Sequence, residues 1–182
     1  MSITLDPTNG ILTPMYNGVI ASNAVTPSVG MKNRIINGAM VIDQRNAGAS
    51  ITPVNGSYTL DRWYFICSQA SKFTLQQNAG SVTPPAGFIN YLGVTSLSAY
   101  SIASGDDYDI RQYIEGYNVA DLGWGTANAK TVTLSFQVYS SLTGTFGGAV
   151  GNSANNRSYP FAYTISSANT WTSISITIPG DT

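Results

Sequence analysis

The carboxylates are the first place to look for chemistry. The chain has one glutamate, Glu115, eight aspartates and no histidine. Without histidine, a Ser-His-Asp or Cys-His nucleophile system is excluded. Glycoside cleavage needs two carboxyl groups. Asp61, Asp106, Asp107, Asp109, Asp121 and Glu115 are available, but no spacing selects a pair, so the expectation is that the protein is not an enzyme. Cys67 ends the aromatic run "LDRWYFIC" and reads as a small buried hydrophobe rather than a nucleophile. A lone cysteine makes no internal disulfide, and without histidine it assembles no zinc set.

Two binding chemistries remain. In "SGDDYD" (104–109) the carboxylates Asp106, Asp107 and Asp109 share a glycine-containing loop and offer the oxygens a calcium ion takes. The loop lacks the downstream bidentate acid of a complete site, so a plain acidic turn is preferred and no metal or cofactor is expected. Sugar binding uses exposed aromatic faces flanked by hydrogen-bonding groups. Trp124 lies in the glycine-flanked loop "LGWGT", and Trp171 is out of phase with the Ile174, Ile176, Ile178 stripe and so is expected to face outward. These two are the candidate glycan contacts, with packing as the competing reading for large aromatics. Trp63 alternates with Phe65 and Cys67 and reads as core. Arg111 and Glu115, four residues apart on one side of an expected strand with Asp109 and Tyr113, read as a rim ion pair.

The elements that must position these residues are strands. Only 9% of the 182 residues are charged, against about 25% in an average domain, and polarity comes from Ser, Thr, Asn and Gly. That profile suits a β-rich, neutral surface and argues against helices. In "KTVTLSFQVYSS" (130–141) Val132, Leu134, Phe136 and Val138 alternate with Thr131, Thr133, Ser135 and Gln137, the period of a half-buried strand. "SYPFAYTI" (158–165) and "TWTSISITIP" (170–179) alternate likewise, and the glycine-rich "GTFGGAVGN" (144–152) fits an edge strand. Upstream, 35–43 reads as a first strand broken by Asn37-Gly38. "LDRWYFIC" (60–67), "KFTLQQ" (72–77), a stretch near 90–95 and "DIRQYIEG" (109–116) follow, and 118–129 is irregular with at most one helical turn. Seven to nine short strands predict an antiparallel β-sandwich.

Residues 1–31 differ from the rest. They hold one charge, Asp6, and short apolar pieces between prolines and Asn-Gly turns, and no period survives. Ile11, Leu12, Met15, Tyr16, Val19 and Ile20 make it a candidate attachment segment that lies extended along a partner, reaching about 100 Å at roughly 3.3 Å per residue; a disordered tail is the alternative. The domains are thus 1–31, an extended anchor, and 32–182, a jelly-roll-like sandwich. The end, "ITIPGDT", is a turn straight after a strong strand, where a jelly roll needs another. A longer, C-terminally continued polypeptide is therefore expected. The net charge of −1 gives no basic field for nucleic acid or an anionic membrane. No signal peptide is visible, and no apolar run reaches transmembrane length.

The blocks "INGAMVIDQR", "DRW", "QYIEG" and "WGTANAK-VTLSF" resemble tailed-bacteriophage tail-fibre or appendage proteins, from about Asn33 to the end. The resemblance implies an all-β, jelly-roll module similar to carbohydrate-binding modules, carried on a homotrimeric virion fibre. Its partners would be other virion proteins (tail adaptor, tail tube or capsid), with host surface polysaccharide as the external contact. A virion particle, assembled in the host cytoplasm and released by lysis, also reconciles an extracellular-type surface with the missing export signal, as would export by a route that needs no such signal. The alternatives are a free carbohydrate-binding module and, last, a degradative enzyme.

Overall fold

The computed structural model describes residues 32–182 and, upstream of them, the backbone of two short strands. The chain divides into two units, residues 1–33 and 34–182. In the first unit β1 (Thr4–Asp6) pairs antiparallel with β2 (Gly10–Leu12), Thr4 opposite Leu12. Of the attachment residues, Ile11 and Leu12 lie on β2. Met15, Tyr16, Val19 and Ile20 fall outside the described residues.

The second unit is built of strands in the order β3 (Ser57–Tyr58), β4 (Tyr64–Cys67), β5 (Phe73–Gln77), β6 (Leu92–Ser96), β7 (Tyr108–Arg111), β8 (Val132–Val138), β9 (Gly144–Gly151), β10 (Ser158–Ile165) and β11 (Thr172–Ile178). Among the described residues helix is confined to one turn of α-helix, Gly116–Val119, and 3-10 turns at Ala79–Ser81 and Ala120–Leu122. The fold is all-β, and every described pairing is antiparallel: β3-β4-β7, β5-β6, β8-β11 and β9-β10.

The period-2 segments form the strands their pattern predicts. Along β8, β10 and β11 the apolar residues turn inward and the Ser, Thr and Gln partners outward. Phe136 sits opposite Ile174, and Leu134 opposite Ile176. The inner faces of these two pairs share an aromatic cluster. Tyr163 stacks on Phe146 (centroids 5.9 Å) and meets Phe136 edge-on at 5.2 Å, and burial pushes the Tyr163 phenol above its ordinary pKa. The glycines of β9 have a packing reason: Gly148 lies opposite Phe161, whose ring would be 2.5 Å from any Cβ placed there. The other core joins β4 and β5. Phe65, Cys67 and Leu75 are buried, with Ile51, Phe73, Leu92 and Tyr108 packed around them. Each such large apolar side chain contributes about 1.5–3 kcal/mol.

Three expectations are corrected. Residues 35–43 form no strand; a turn covers 36–39, with Asn37 left-handed at φ 56°. The run 60–67 is a strand only from Tyr64, because Leu60–Arg62 turns, the carbonyl of Leu60 accepting from the Trp63 N–H and Arg62 taking φ 76°. The strand of 109–116 ends at Arg111, so Arg111 and Glu115 do not share a strand face.

Candidate functional site

The sequence blocks that stand far apart in the chain converge in space. The Asn37 carboxamide donates to the carbonyls of Ile42 (2.8 Å) and Asp61 (2.9 Å), and its oxygen accepts from the Ile42 N–H (2.9 Å). The Asn37 carbonyl accepts from the Trp63 indole (3.1 Å). Gln112 accepts from the Ile36 N–H and donates to the Ile36 carbonyl, both at 2.8 Å, so a side chain supplies the ladder bonds that a neighbouring strand would. The Asp61 carboxylate caps Gln44 N–H at 2.7 Å. Arg62 pairs with Glu115 at 2.7 Å and donates to the Tyr113 carbonyl, while Arg34 makes a bidentate pair with Asp121 at 2.8 and 2.7 Å. Such planar two-bond pairs are the strong, geometrically specific ones. Glu115 is drawn below its ordinary pKa chiefly by the Arg62 hydrogen bond. In this polar knot Asp61, Asp121 and Glu115 each bond a protein donor.

A second constellation lies at the seam where β5–β6 meets β7. Lys72 precedes β5 and its carbonyl accepts from the Leu97 N–H, which closes the β5–β6 end, and Tyr108 opens β7 opposite Cys67. Phe73, Tyr100 and Tyr108 form a chain of edge-on rings, with centroids 5.7 Å apart (Phe73–Tyr108) and 6.4 Å (Tyr100–Tyr108). The Lys72 ammonium sits 4.5 Å from the Tyr100 ring centroid, within cation–π range. These residues with Ser96, Ser98, Ala99 and Ile102 line an open cleft of about 350 Å³, at the lower end of ligand-binding cavities. The Asp106 carboxylate fixes the Tyr100 ring by accepting its hydroxyl at 2.9 Å. It also accepts from the Ala103 N–H (2.7 Å) and the Ser68 hydroxyl (2.7 Å). These donors, Ser68 first, hold Asp106 below the usual carboxylate range, and the bond to Asp106 raises the Tyr100 phenol. The Tyr108 hydroxyl, by contrast, is buried and makes no hydrogen bond among the described residues.

The residues singled out from the sequence are distributed as follows. Trp171 is half-buried rather than turned outward. Its ring meets Tyr91 (5.6 Å) and Tyr139 (5.4 Å), and its indole donates to the Thr83 carbonyl. Trp124 is also half-buried, its indole donating to the Lys130 carbonyl at 2.8 Å between the left-handed Gly123 and Gly125. Trp63, read as core, is half-buried, its indole donating to the Asn37 carbonyl, and is not among the residues packed on Phe65 and Cys67. The three carboxylates of "SGDDYD" diverge. Asp106 takes the three donors above, Asp109 pairs with Arg111 (Nε to Oδ1 2.7 Å), and Asp107 lies 4.0 Å from Arg111. Among the described residues no three acidic, Cys or His groups form a metal-sized cluster. Arg111 thus bonds its own strand's aspartate, and Glu115 bonds Arg62, in place of the expected Arg111–Glu115 pair. A second hollow, of about 330 Å³, lies along β8 and β11 beside Phe88; there Gln137 and Ser173 are spent on each other at 2.7 Å.

The cleft at Lys72, Tyr100 and Tyr108 went unread in the sequence. Its only local signal is the aromatic pair flanking an acidic turn in "AYSIASGDDYD". No protein-family model, curated protein or solved structure matches the chain.

Proposed function

We propose that the chain is a structural subunit of a bacteriophage virion appendage. Residues 1–31 dock it to other virion proteins, and residues 32–182 display a jelly-roll-like sandwich that contacts host surface polysaccharide, as a homotrimer. The observation that carries this reading is the convergence of the "INGAMVIDQR", "DRW" and "QYIEG" blocks on the knot around Asn37, Trp63, Gln112 and the Arg62–Glu115 pair. The most distinctive residues of the sequence are spent on holding the module together, which is what a displayed scaffold requires and a catalyst does not. The separation of residues 1–33 from 34–182 as units supports an anchor distinct from the display domain. The neutral, hydroxyl- and amide-rich strand faces suit both subunit packing and sugar contact. Function assigned through fold likeness alone is analogy, so the test is direct. Antibodies raised against residues 32–182 are applied, gold-labelled, to particles in the lysate. Label on particles is the expected result, and its position separates tail from head. Label confined to soluble material overturns the reading in favour of a free carbohydrate-binding module.

A further inference from the structure

The open cleft at the β5–β6/β7 seam gathers aromatic and hydrogen-bonding side chains, and three observations bear on what it takes. First, its walls are preset. Tyr100 is held at its hydroxyl by Asp106, at its face by Lys72 and at its edge by Tyr108, so little side-chain freedom remains to be lost on binding. Second, the Tyr108 hydroxyl is buried without a hydrogen bond, an arrangement that costs about 1–3 kcal/mol and is relieved by a partner that supplies one. Third, the one charged lining group, the Lys72 ammonium, already sits over the Tyr100 ring, and the other polar lining groups, on Ser96, Ser98, Tyr100 and Tyr108, are neutral hydroxyls. A ligand with apolar ring faces and neutral hydroxyl groups meets all three conditions. Phe73, Tyr108 and Ile102, the last 73% exposed, supply apolar contact. Lys72, Ser96 and Ser98 supply donors and acceptors around the edge.

We propose that this cleft binds a neutral hexopyranose unit of a polysaccharide, with Tyr108 and Lys72 as its hydrogen-bonding residues and Tyr100 as the ring that positions Lys72. The site rests on the glycan-contact part of the proposed function and moves it away from Trp124 and Trp171. The purified full chain is tested by surface plasmon resonance on immobilised dextran, mannan and galactan, with hyaluronan as the acidic comparison. Binding to at least one neutral polymer is expected. Tyr108→Phe and Lys72→Ala each weaken it about tenfold or more, the loss of one buried hydrogen bond to ligand, and Trp124→Ala does not. Tyr108→Phe keeps the ring and removes an unpaired buried hydroxyl, so it melts at or above the parent chain, which separates lost binding from lost folding. Binding to none of the neutral polymers, binding to hyaluronan alone, binding unchanged in Tyr108→Phe, or a lowered melting point in that variant each overturns the assignment. Because the assay uses the isolated chain, its failure leaves the appendage reading to the particle-labelling experiment. Absence of label on particles in turn leaves this site standing.

Discussion

The indole of Trp171 donates a 2.8 Å hydrogen bond to the carbonyl of Thr83, 88 residues earlier in the chain. Its ring is flanked by Tyr91 and Tyr139. A tryptophan held at both its polar and apolar ends is a packing element, and its substitutions should register as stability. Trp171→Phe, which keeps most of the ring contact, is expected to cost about 1 kcal/mol for the hydrogen bond. Trp171→Ala should cost about 2–4 kcal/mol for a half-buried ring. Chemical denaturation of the two variants measures both numbers. A stable Trp171→Ala chain that loses glycan binding would restore Trp171 as a contact residue.

Asn37 is the pivot of the polar knot. It combines three side-chain hydrogen bonds with a left-handed backbone. Asn37→Ala loses the bonds and puts a less tolerant residue at φ 56°, for an expected loss of about 2–4 kcal/mol. Asn37→Gly relieves the backbone and loses only the bonds, so it should fall between Asn37→Ala and the parent. The order of the three denaturation midpoints is the measurement. Equal stability of the two variants would show that the backbone conformation contributes nothing.

The same residue shows where sequence reading stops. In β8, β10 and β11 one face is packed and the other solvated, so the period-2 alternation is written locally and the strands follow from it. At 35–43 the apolar run is as strong, but the Asn37 turn and the Gln112 side chain satisfy the Ile36 backbone, and that partner lies 76 residues away. The isoleucine stripe predicts an outward Trp171 only if the strand includes it, and β11 begins one residue later, at Thr172. Arg111 and Glu115 looked like a pair for a related reason, since the strand that would align them ends at Arg111. The cleft was hidden because Lys72, Tyr100 and Tyr108 meet only when β5–β6 lies beside β7, and no fixed spacing records that meeting.

Gly148 tests the packing of β9 on β10. A side chain there would have to displace the Phe161 ring, which is 2.5 Å from the nearest Cβ position. Gly148→Ala is expected to destabilise by about 1–3 kcal/mol, the usual cost of overpacking. The double variant Gly148→Ala with Phe161→Leu should recover part of that loss, because the obstructing ring is gone. Thermal melts of the two variants and of Phe161→Leu alone close the cycle. Strict additivity would mean that the ring and the glycine are not in contact.

Acid should loosen the two polar centres before the apolar cores. The Glu115 carboxyl, bonded by Arg62, and the Asp106 carboxyl, bonded by Ser68, Ala103 and Tyr100, are both held below their ordinary pKa. Near pH 4 the unfolded chain therefore binds more protons than the folded one, and stability rises with pH through that window. Their contribution is complete above the unfolded carboxyl range, at about pH 5–6, and is lost as the pH falls through the lowered folded values. At the alkaline end the sign reverses. Burial raises the Cys67 thiol and the Tyr163 phenol, so stability falls once the unfolded counterparts ionise, from about pH 8.5 and 10 upward. Melting temperature against pH should thus form a plateau with two shoulders. Glu115→Gln and Asp106→Asn are expected to lower the plateau and flatten the acid shoulder. Cys67→Ala should lower the plateau through its cavity while flattening only the first part of the alkaline shoulder. An acid shoulder of unchanged steepness in both carboxylate variants would place the acid sensitivity in other groups and remove these two hydrogen-bonded carboxylates as its source.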